Sequence, residues 1–302
     1  MKLARALLEL GRVSNLPTVW SNCLCGWLIG IGYVEIETMT MDWAMFAWLC
    51  TGATAMYLGG MYLNDACDVA FDREHRKERP IPSKAISVGA VWKIGIGLLA
   101  VGAGMLSIQG SVTALLALGL FNCIFLYNFI HKKITWSPVL IALCRLFLVL
   151  MASAFAFATM HPNESFFPHV NSGLATWTAL VLCLYVVGLS YLAKVENEPS
   201  LVKFWPCLLL ASPVLLALIV NSSEYRKDAL LVSAILVLWV LRSLRSTFWA
   251  QKREVGKTVG GLLAGIVLVD LLAVAHVPTE LSAVFLVFFV LALATQRWVP
   301  AT

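Results

Sequence analysis

Charged residues are scarce in this chain of 302 residues, since Asp, Glu, Lys and Arg together make up only 13% of it. Soluble domains carry about 25% charged and about 45–50% apolar residues, whereas 60% of this sequence is hydrophobic. That composition excludes a soluble globular domain, a disordered chain and a nucleic-acid-binding domain, because each needs more polar surface. The apolar runs are about twice as long as the strands of a membrane barrel. We therefore expect an all-α fold, a bundle of membrane-spanning helices.

Apolar runs of roughly 20 residues, the length that crosses a bilayer as a helix, recur along the whole chain. They predict nine to ten spans within a single domain that covers residues 1–302. The predicted spans are 16–34, 42–63, 87–107, 111–130, 137–159, 174–193, 203–220, 228–248, 258–276 and 279–298. The last two are divided only by a short stretch around Pro278.

Lysine and arginine are distributed unevenly between the two predicted sides of the membrane. With the N-terminus in the cytoplasm, only Arg226 and Lys227 fall on the outer side, and Arg145 falls within a span. This asymmetry follows the positive-inside rule and predicts an integral protein of a bacterial inner membrane with a cytoplasmic N-terminus. Topology and contact with membrane lipids then explain the net charge of +5, and no nucleic-acid partner is needed.

Motifs for metal binding by cysteine or histidine are missing. The eight cysteines include no CxxC pair and lie almost all in apolar runs, where free cysteine packs as a small hydrophobe. No two histidines have the helical spacing of metal ligands. The GxxxG pair of Gly26 and Gly30 predicts close packing between helices.

The densest polar stretch directly follows the second predicted span and begins Asn64-Asp65-Ala-Cys-Asp68-Val-Ala-Phe-Asp72. On a continued helix the three aspartates lie within about 60° of one another. Three carboxylates on one face repel one another unless a cation lies among them. Hard oxygen ligands suit Mg²⁺, which takes its other ligands from water and from substrate phosphates. The spacing therefore predicts a magnesium site.

Arginines come directly after the aspartates, at Arg73, Arg76 and Arg79. Guanidinium groups match phosphate oxygens in pairs. Carboxylates for a metal, followed by arginines at a membrane edge, predict a bound diphosphate whose tail lies in lipid. A juxtamembrane loop with stray salt bridges would explain the basic residues but not the one-sided acidic stripe.

At these residues the sequence resembles the UbiA superfamily of intramembrane prenyltransferases. The family's motif N-D-x-x-D-x-x-x-D followed by R-x-x-R-P-I is matched over residues 64–81. The segment GRVSNLPTVWSN, residues 11–22, is similar to the family's first-helix signature, with Asn15 as the matching asparagine. Tyr127, the HKK loop after it and Arg145 are similar in placement. The likeness weakens afterwards, where the SYLAKVE stretch is similar to the EboC-like branch.

The resemblance implies that the helices of the bundle surround a central cavity. It also implies Mg²⁺-dependent transfer of a prenyl group from a prenyl diphosphate to an acceptor, aromatic or another small molecule. It implies that Asp65, Asp68 and Asp72 hold the metal, while Asn64 and the arginines, among them Arg76 and Arg79, assist the diphosphate. The chemistry fits these residue types. Heterolysis of an allylic C–O bond needs the diphosphate's growing charge neutralised, and the allylic cation needs a dry, apolar or aromatic chamber.

The family's second aspartate motif, expected at the end of the sixth span, is absent. That place, residues 188–199, contains no aspartate. Tyr191 and Lys194 share a helical face, and Glu198 lies one turn beyond Lys194. We hypothesise that Lys194 replaces a second metal as counter-charge to the diphosphate, with Glu198 or Glu196 as its partner. The alternative is a lysine that snorkels from a helix end.

Three further polar residues have two interpretations each. Arg145 lies roughly 12 Å into its span, where an arginine is a functional candidate; it faces the substrate, and holds diphosphate, or forms a structural pair. Asp270 belongs to an ion-coupled pathway, or it is a protonated acid or hydrogen-bonded to a neighbouring helix. Tyr127 binds diphosphate or acceptor, or it anchors the helix at the interface.

A carrier or lipid-binding protein of the same fold is the alternative function, which would bind a diphosphate-headed isoprenoid without turnover. Ten spans, where the family usually has nine, favour the carrier, as do Asp270 and the altered second motif. The intact first motif with its arginines favours the enzyme.

Overall fold

The computed structural model describes residues 2–32, 41–194, 204–220, 226–251 and 253–299. This part of the chain is helical and contains no strand. Its α-helices are α1 (Lys2–Leu10), α2 (Leu16–Ile31), α3 (Trp43–Cys67), α4 (Val69–His75), α5 (Val88–Leu106), α6 (Ser111–Ile130), α7 (Ser137–Met160), α8 (Val170–Lys194), α9 (Trp205–Leu210), α10 (Ser212–Val220), α11 (Arg226–Phe248), α12 (Val255–Ala273) and α13 (Thr279–Thr295). A short 3₁₀ helix, Val13–Asn15, joins α1 to α2.

Every predicted span coincides with helical structure, which confirms the all-α membrane bundle. Within the described ranges, the helices α5, α6, α7, α8, α11 and α12 are long and apolar enough to cross a membrane. The other predicted spans fall on α2, α3, α13 and the pair α9–α10, which are shorter or, in α3, carry polar residues. The count of nine to ten spans is therefore approximate, and the central cavity stays a prediction.

The seventh predicted span is divided into α9 and α10 at Ala211. Pro213 lies in the first turn of α10. A proline lacks the N–H that would continue the preceding helix but fits the first turn of a new one. The two short helices thus replace one continuous span.

The helices form an inner and an outer group. Helix α2 packs against α3, α7, α8, α12 and α13, and nearly all its residues are buried. The outer helices α5, α6 and α11 expose large apolar side chains such as Ile96, Leu115 and Leu238. Such side chains are soluble in the hydrocarbon core of a bilayer, as a membrane protein requires.

Two glycines allow α2 to approach α7 closely, which confirms the packing predicted for this GxxxG pair. A Cβ atom on Gly26 would lie 2.6 Å from the backbone oxygen of Val149 and 2.7 Å from the Cβ of Ala152, and Gly30 faces the next turn of α7. Asn22 and Arg145 lie one turn before Gly26 and Val149 on the same two helices. The close contact therefore brings these two polar side chains together.

Candidate functional site

The acidic motif lies where α3 meets α4. The predicted continuous helix is wrong in one detail, because α3 ends and α4 begins on either side of Asp68. Aspartate favours such cap positions, since its side chain competes for backbone groups. The backbone hydrogen bonds of a helix nevertheless continue through this point. The backbone N–H of Asp68 donates to the backbone oxygen of Asn64, and that of Asp72 donates to the backbone oxygen of Asp68, each at 3.0 Å. Asp65, Asp68 and Asp72 thus stay at one end of the bundle, and their carboxylates interact electrostatically. We call this region the aspartate end.

Asp65 is held by two arginines from different parts of the chain. Its Oδ1 lies 3.1 Å from Arg79 Nη1 and 3.5 Å from Arg12 Nη2, and its side chain is only 4% exposed. Arg12 also donates to Asn64 Oδ1 at 3.5 Å. The structure therefore places Arg79 on the first aspartate of the motif and adds Arg12, which the sequence analysis missed. The sequence did contain a signal for Arg12, since this residue lies in the segment 11–22 that is similar to the family's first-helix signature. In the structure its φ is 42°, which is unusual for a residue other than glycine.

Asp68 is held by the loop between α6 and α7. Lys132 Nζ lies 2.6 Å and His131 Nε2 lies 3.7 Å from Asp68 Oδ1. The Lys132 ammonium also lies 4.8 Å from the centre of the Phe71 ring on α4. From the sequence, the HKK loop (131–133) was similar to the family in its placement. The structure shows that it supplies positive charge to the central carboxylate of the motif.

Asp72 is nearly fully buried, at 3% exposure. Burial raises the pKa of its carboxyl above the ordinary value, the Arg79 guanidinium lowers it, and Asp68 raises it further. Arg76 lies at the edge of this group, with its guanidinium 5.9 Å from the centre of the Phe71 ring. A bound cation would favour the ionised form of Asp72, because it supplies the charge that burial withholds.

The donor set fits a magnesium ion that binds together with a phosphate ligand. Over the described ranges, no three His, Cys, Asp or Glu side chains are arranged to hold a metal by themselves. Mg²⁺ rarely needs such a cage, since it commonly binds one or two carboxylates plus water and substrate phosphates. Hard oxygen ligands are offered by Asp65, Asp68 and Asp72. Two of these carboxylates, those of Asp65 and Asp68, are paired with cationic side chains.

Polar side chains continue from the aspartate end into the bundle. The Tyr57 hydroxyl donates to the backbone oxygen of Arg12 at 3.2 Å, and it interacts with the side chains of Asn15 and Arg145. Tyr127 on α6 interacts with Arg12 and Asp68. The structure thus links Tyr127 to the aspartate end, links Asn15 and Arg145 to Tyr57, and adds Tyr57 to the predicted residues. Tyr57 lies two helical turns before Asp65, about 12 Å along α3.

A buried network links α2, α7 and α12. Arg145 donates from Nη1 to Asn22 Oδ1 at 2.7 Å and from Nη2 to Thr18 Oγ1 at 2.9 Å. Asn22 Nδ2 lies 2.9 Å and 2.7 Å from the two carboxylate oxygens of Asp270, which also accepts from Ser21. For Asp270, the structure therefore favours the hydrogen bond to a neighbouring helix. Nothing local in the sequence could have paired these residues.

Where the structure describes them, the residues predicted to replace the second aspartate motif contact groups other than the aspartates. Lys194 Nζ donates to the backbone oxygen of Thr135 at 2.8 Å and forms no ion pair with a carboxylate in the part of the chain that the structure describes. The Tyr191 ring contacts Trp205, with centroids 4.8 Å apart. Glu198 and Glu196 lie outside the described residues. The counter-charge role of Lys194 stays a prediction.

Comparison with known proteins gives matches over nearly the whole chain. The sequence model of the UbiA prenyltransferase family matches residues 25–300. A digeranylgeranylglyceryl phosphate synthase of Metallosphaera sedula is 40% identical over 60 residues, 20% of this chain and 21% of that protein. One from Methanopyrus kandleri is 29% identical over 123 residues, 41% of this chain and 42% of that protein. The aligned segments thus span less than half of each relative.

Two solved structures share the fold. One, described as giving structural and mechanistic insights into the biosynthesis of digeranylgeranylglyceryl phosphate synthase in membranes, has a TM-score of 0.59 at 18% identity. It covers 97% of this chain, and all of that chain is covered. The apo structure of a UbiA homolog from Aeropyrum pernix K1 has a TM-score of 0.50 at 14% identity and covers 94% and 95% of the two chains. At these identities the likeness concerns the fold alone.

Proposed function

Since the chain belongs to the UbiA prenyltransferase family, we propose that it transfers a prenyl group from a prenyl diphosphate to an acceptor within the membrane, with Mg²⁺ as cofactor. The observation that carries this proposal is the pairing of the acidic motif with cations at the aspartate end. Asp65 contacts Arg79 and Arg12, and Asp68 contacts Lys132. The site therefore holds both carboxylates for a metal and positive side chains for a diphosphate.

The carboxylates of Asp65, Asp68 and Asp72 would hold the metal, and Asn64 would assist the diphosphate. The chemistry that magnesium supplies when bound is neutralisation of the leaving diphosphate as the allylic C–O bond breaks. With the carboxylates engaged by the metal, their present partners Arg79, Arg12 and Lys132 would be available to phosphate oxygens. Guanidinium groups suit this task because their N–H groups match phosphate in pairs.

Arg12, Arg79 and Lys132 are the side chains that we assign to the diphosphate, with Arg76 at the rim. Each is at least partly exposed, so each can turn toward a ligand. Lys194 keeps a supporting role in the proposal, because an ammonium has three donors and Thr135 uses one.

The tyrosines just inside the aspartate end suit the cation that forms next. Tyr57 and Tyr127 both interact with Arg12, so their rings lie beside the reacting end of a diphosphate bound there. The π faces of aromatic rings stabilise cations at short range. The apolar residues of α2 and α7 would keep water from that cation.

The relatives are named for a product that contains glyceryl phosphate, so a prenylated glyceryl phosphate is one acceptor to test beside aromatic ones. We place the aspartate end on the cytoplasmic side of a bacterial inner membrane, as the positive-inside rule indicates.

The test uses purified full-length protein in lipid nanodiscs with Mg²⁺ and prenyl diphosphates of increasing chain length. We expect diphosphate release that depends on an acceptor, stops on addition of EDTA and disappears in Asp68→Asn. Glu74→Gln, an exposed acid on α4 outside the site, is the matched control and should retain activity. Binding without release would support the carrier, and release without Mg²⁺ would contradict the metal site.

A further inference from the structure

Two cysteines face each other where α2 packs against α3. Cys23 lies on α2 and is fully buried, whereas Cys50 lies on α3 and is partly exposed. Their side chains are joined by a hydrogen bond, in which one thiol donates to the sulfur of the other. The two sulfur atoms are therefore in contact. Such contact is the starting geometry for a disulfide, which requires the Cβ atoms of two closely spaced chains to point toward each other.

The packing register of α2 and α3 places the two thiols opposite each other independently of that hydrogen bond. About one turn nearer the aspartate end, Trp20 Nε1 donates to Thr54 Oγ1 at 3.0 Å. One turn in the other direction, the rings of Trp27 and Phe46 have centroids 5.6 Å apart. A step of one turn forward on α2 thus corresponds to one turn backward on α3, as between antiparallel helices. The two thiols occupy the step between these contacts.

A third cysteine shows that this alignment belongs to one face of α2. Cys25 follows Cys23 by two residues, which turns it about 200° around the helix. It is fully buried as well, but it interacts with Asp270 on α12. The position of Cys23 around the helix, rather than burial in general, therefore aligns its thiol with α3.

The thiol pair lies far from the aspartate end. Cys50 precedes Asp65 on α3 by about 22 Å, at 1.5 Å for each intervening residue. In the orientation that the positive-inside rule indicates, this is the outer half of the bilayer. The residues Ala47 and Thr51, which flank Cys50 on α3, are exposed. An apolar oxidant dissolved in the bilayer therefore has access to this part of the helix.

We propose that Cys23 and Cys50 are a site of oxidative modification, at which a lipid hydroperoxide converts the two thiols into a disulfide between α2 and α3. The hydroperoxide transfers its terminal oxygen to Cys50 Sγ and leaves as an alcohol with the thiol's proton, which produces a sulfenic acid. The Cys23 thiol then attacks this sulfur, the S–O bond breaks, and water leaves. The two thiols together lose two electrons, and the hydroperoxide is reduced to alcohol and water.

The disulfide would fix the register in which α2 and α3 pack. It would close a loop that contains the connection between the two helices, and such a bond stabilises a protein mainly by restricting its unfolded chain. The oxidised protein should therefore unfold at a higher temperature than the reduced one. This inference does not depend on prenyl transfer, because the pair lies outside the aspartate end.

The test maps disulfides in the full-length protein, reconstituted in lipid nanodiscs and treated with cumene hydroperoxide. The denatured protein is labelled with maleimide, and its peptides are analysed by mass spectrometry. We expect two of the eight cysteines to escape labelling and a pair of peptides to be linked through Cys23 and Cys50. Dithiothreitol should separate that pair. The thermal midpoint should rise by about 4–8 °C on oxidation and return on reduction.

Three alanine variants assign the bond and its order of formation. Cys23→Ala and Cys50→Ala should each abolish the linked peptides and the rise in thermal midpoint. Dimedone, which reacts with sulfenic acids, should label Cys50 in Cys23→Ala but should not label Cys23 in Cys50→Ala. Cys25→Ala removes a buried thiol from the other face of α2 and is the matched control, which should retain the linked peptides.

Labelling of all eight cysteines after peroxide treatment would overturn the inference. A disulfide that joins other cysteines would overturn it as well, and so would linked peptides that persist in Cys50→Ala. The linked peptides are measured in the wild type, so the test remains decisive even where an alanine variant fails to fold.

Discussion

Lys132 Nζ lies 2.6 Å from Asp68 Oδ1, so the central carboxylate of the acidic motif is already paired with an ammonium from the α6–α7 loop. In the proposed function Asp68 would hold Mg²⁺, and Lys132 would then compete with the ion for this carboxylate. With the ion pair opened, Lys132 would be available to a phosphate ligand.

Lys132→Met should strengthen binding of Mg²⁺ alone, in the absence of diphosphate, by up to about fivefold. The ion pair is partly exposed, and such pairs contribute about 1 kcal/mol at most. Isothermal titration with Mg²⁺ measures the change. Lys133→Met, the neighbouring exposed lysine, is the control. Unchanged or weaker Mg²⁺ binding in Lys132→Met would contradict the competition.

Arg12→Gln should raise the KM for prenyl diphosphate about tenfold, because a hydrogen bond to a charged group contributes about 1.5–3 kcal/mol. Initial rates at saturating acceptor measure the effect. Arg5→Gln serves as control, since Arg5 is exposed and pairs only with Glu9 on its own helix. A lower thermal midpoint with an unchanged KM would instead make Arg12 a purely structural partner of Asp65.

Gly26→Ala should destabilise the protein by about 1–3 kcal/mol, the usual effect of overpacking. The added Cβ would meet the backbone of α7 at Val149, which cannot move aside as a side chain can. Gly97→Ala, in the middle of α5 with nothing near its Cβ, should be neutral or stabilise by about 0.5–1 kcal/mol. Thermal unfolding in the same detergent compares the two, and equal midpoints would refute the close contact between α2 and α7.

Lys194→Met should raise the diphosphate KM about threefold, less than Arg12→Gln, since one of its three donors is already used by Thr135. The same initial-rate assay gives the value. Lys93→Met, an exposed lysine on α5, controls for loss of general positive charge. An unchanged KM for the diphosphate in Lys194→Met would contradict the counter-charge role and support the alternative, a lysine that snorkels from the helix end.

The sequence predicted the helices well because the signal for a membrane span is local. A run of apolar residues is read without knowledge of the rest of the chain, and each predicted span coincides with helical structure. The interruption at Asp68 was missed because an i, i+3, i+7 pattern of aspartates looks the same on one helix or on two successive ones. Pro213 indicated an interruption near Ala211, but the prediction followed the number of apolar residues and kept one continuous span.

The sequence could not predict which side chains contact each other, and the reason is physical. Arg12 meets Asp65, and Asn22 meets Asp270, only after helices distant in sequence have packed. No local pattern encodes such a pairing. The residue types nevertheless selected residues that the structure links to this region: Tyr127 interacts with Arg12 and Asp68, and Asn15 and Arg145 interact with Tyr57.

The tie between Asn22 on α2 and Asp270 on α12 has a consequence for biogenesis. During synthesis α2 and α7 emerge long before α12, so Arg145 enters the bilayer without the acid that anchors its amide partner. A polar side chain left incompletely paired in lipid is costly and exposes the nascent chain to quality control. Insertion of α12 is therefore the step that completes the hydrogen bonds of Asn22 and so stabilises the polar network between α2 and α7.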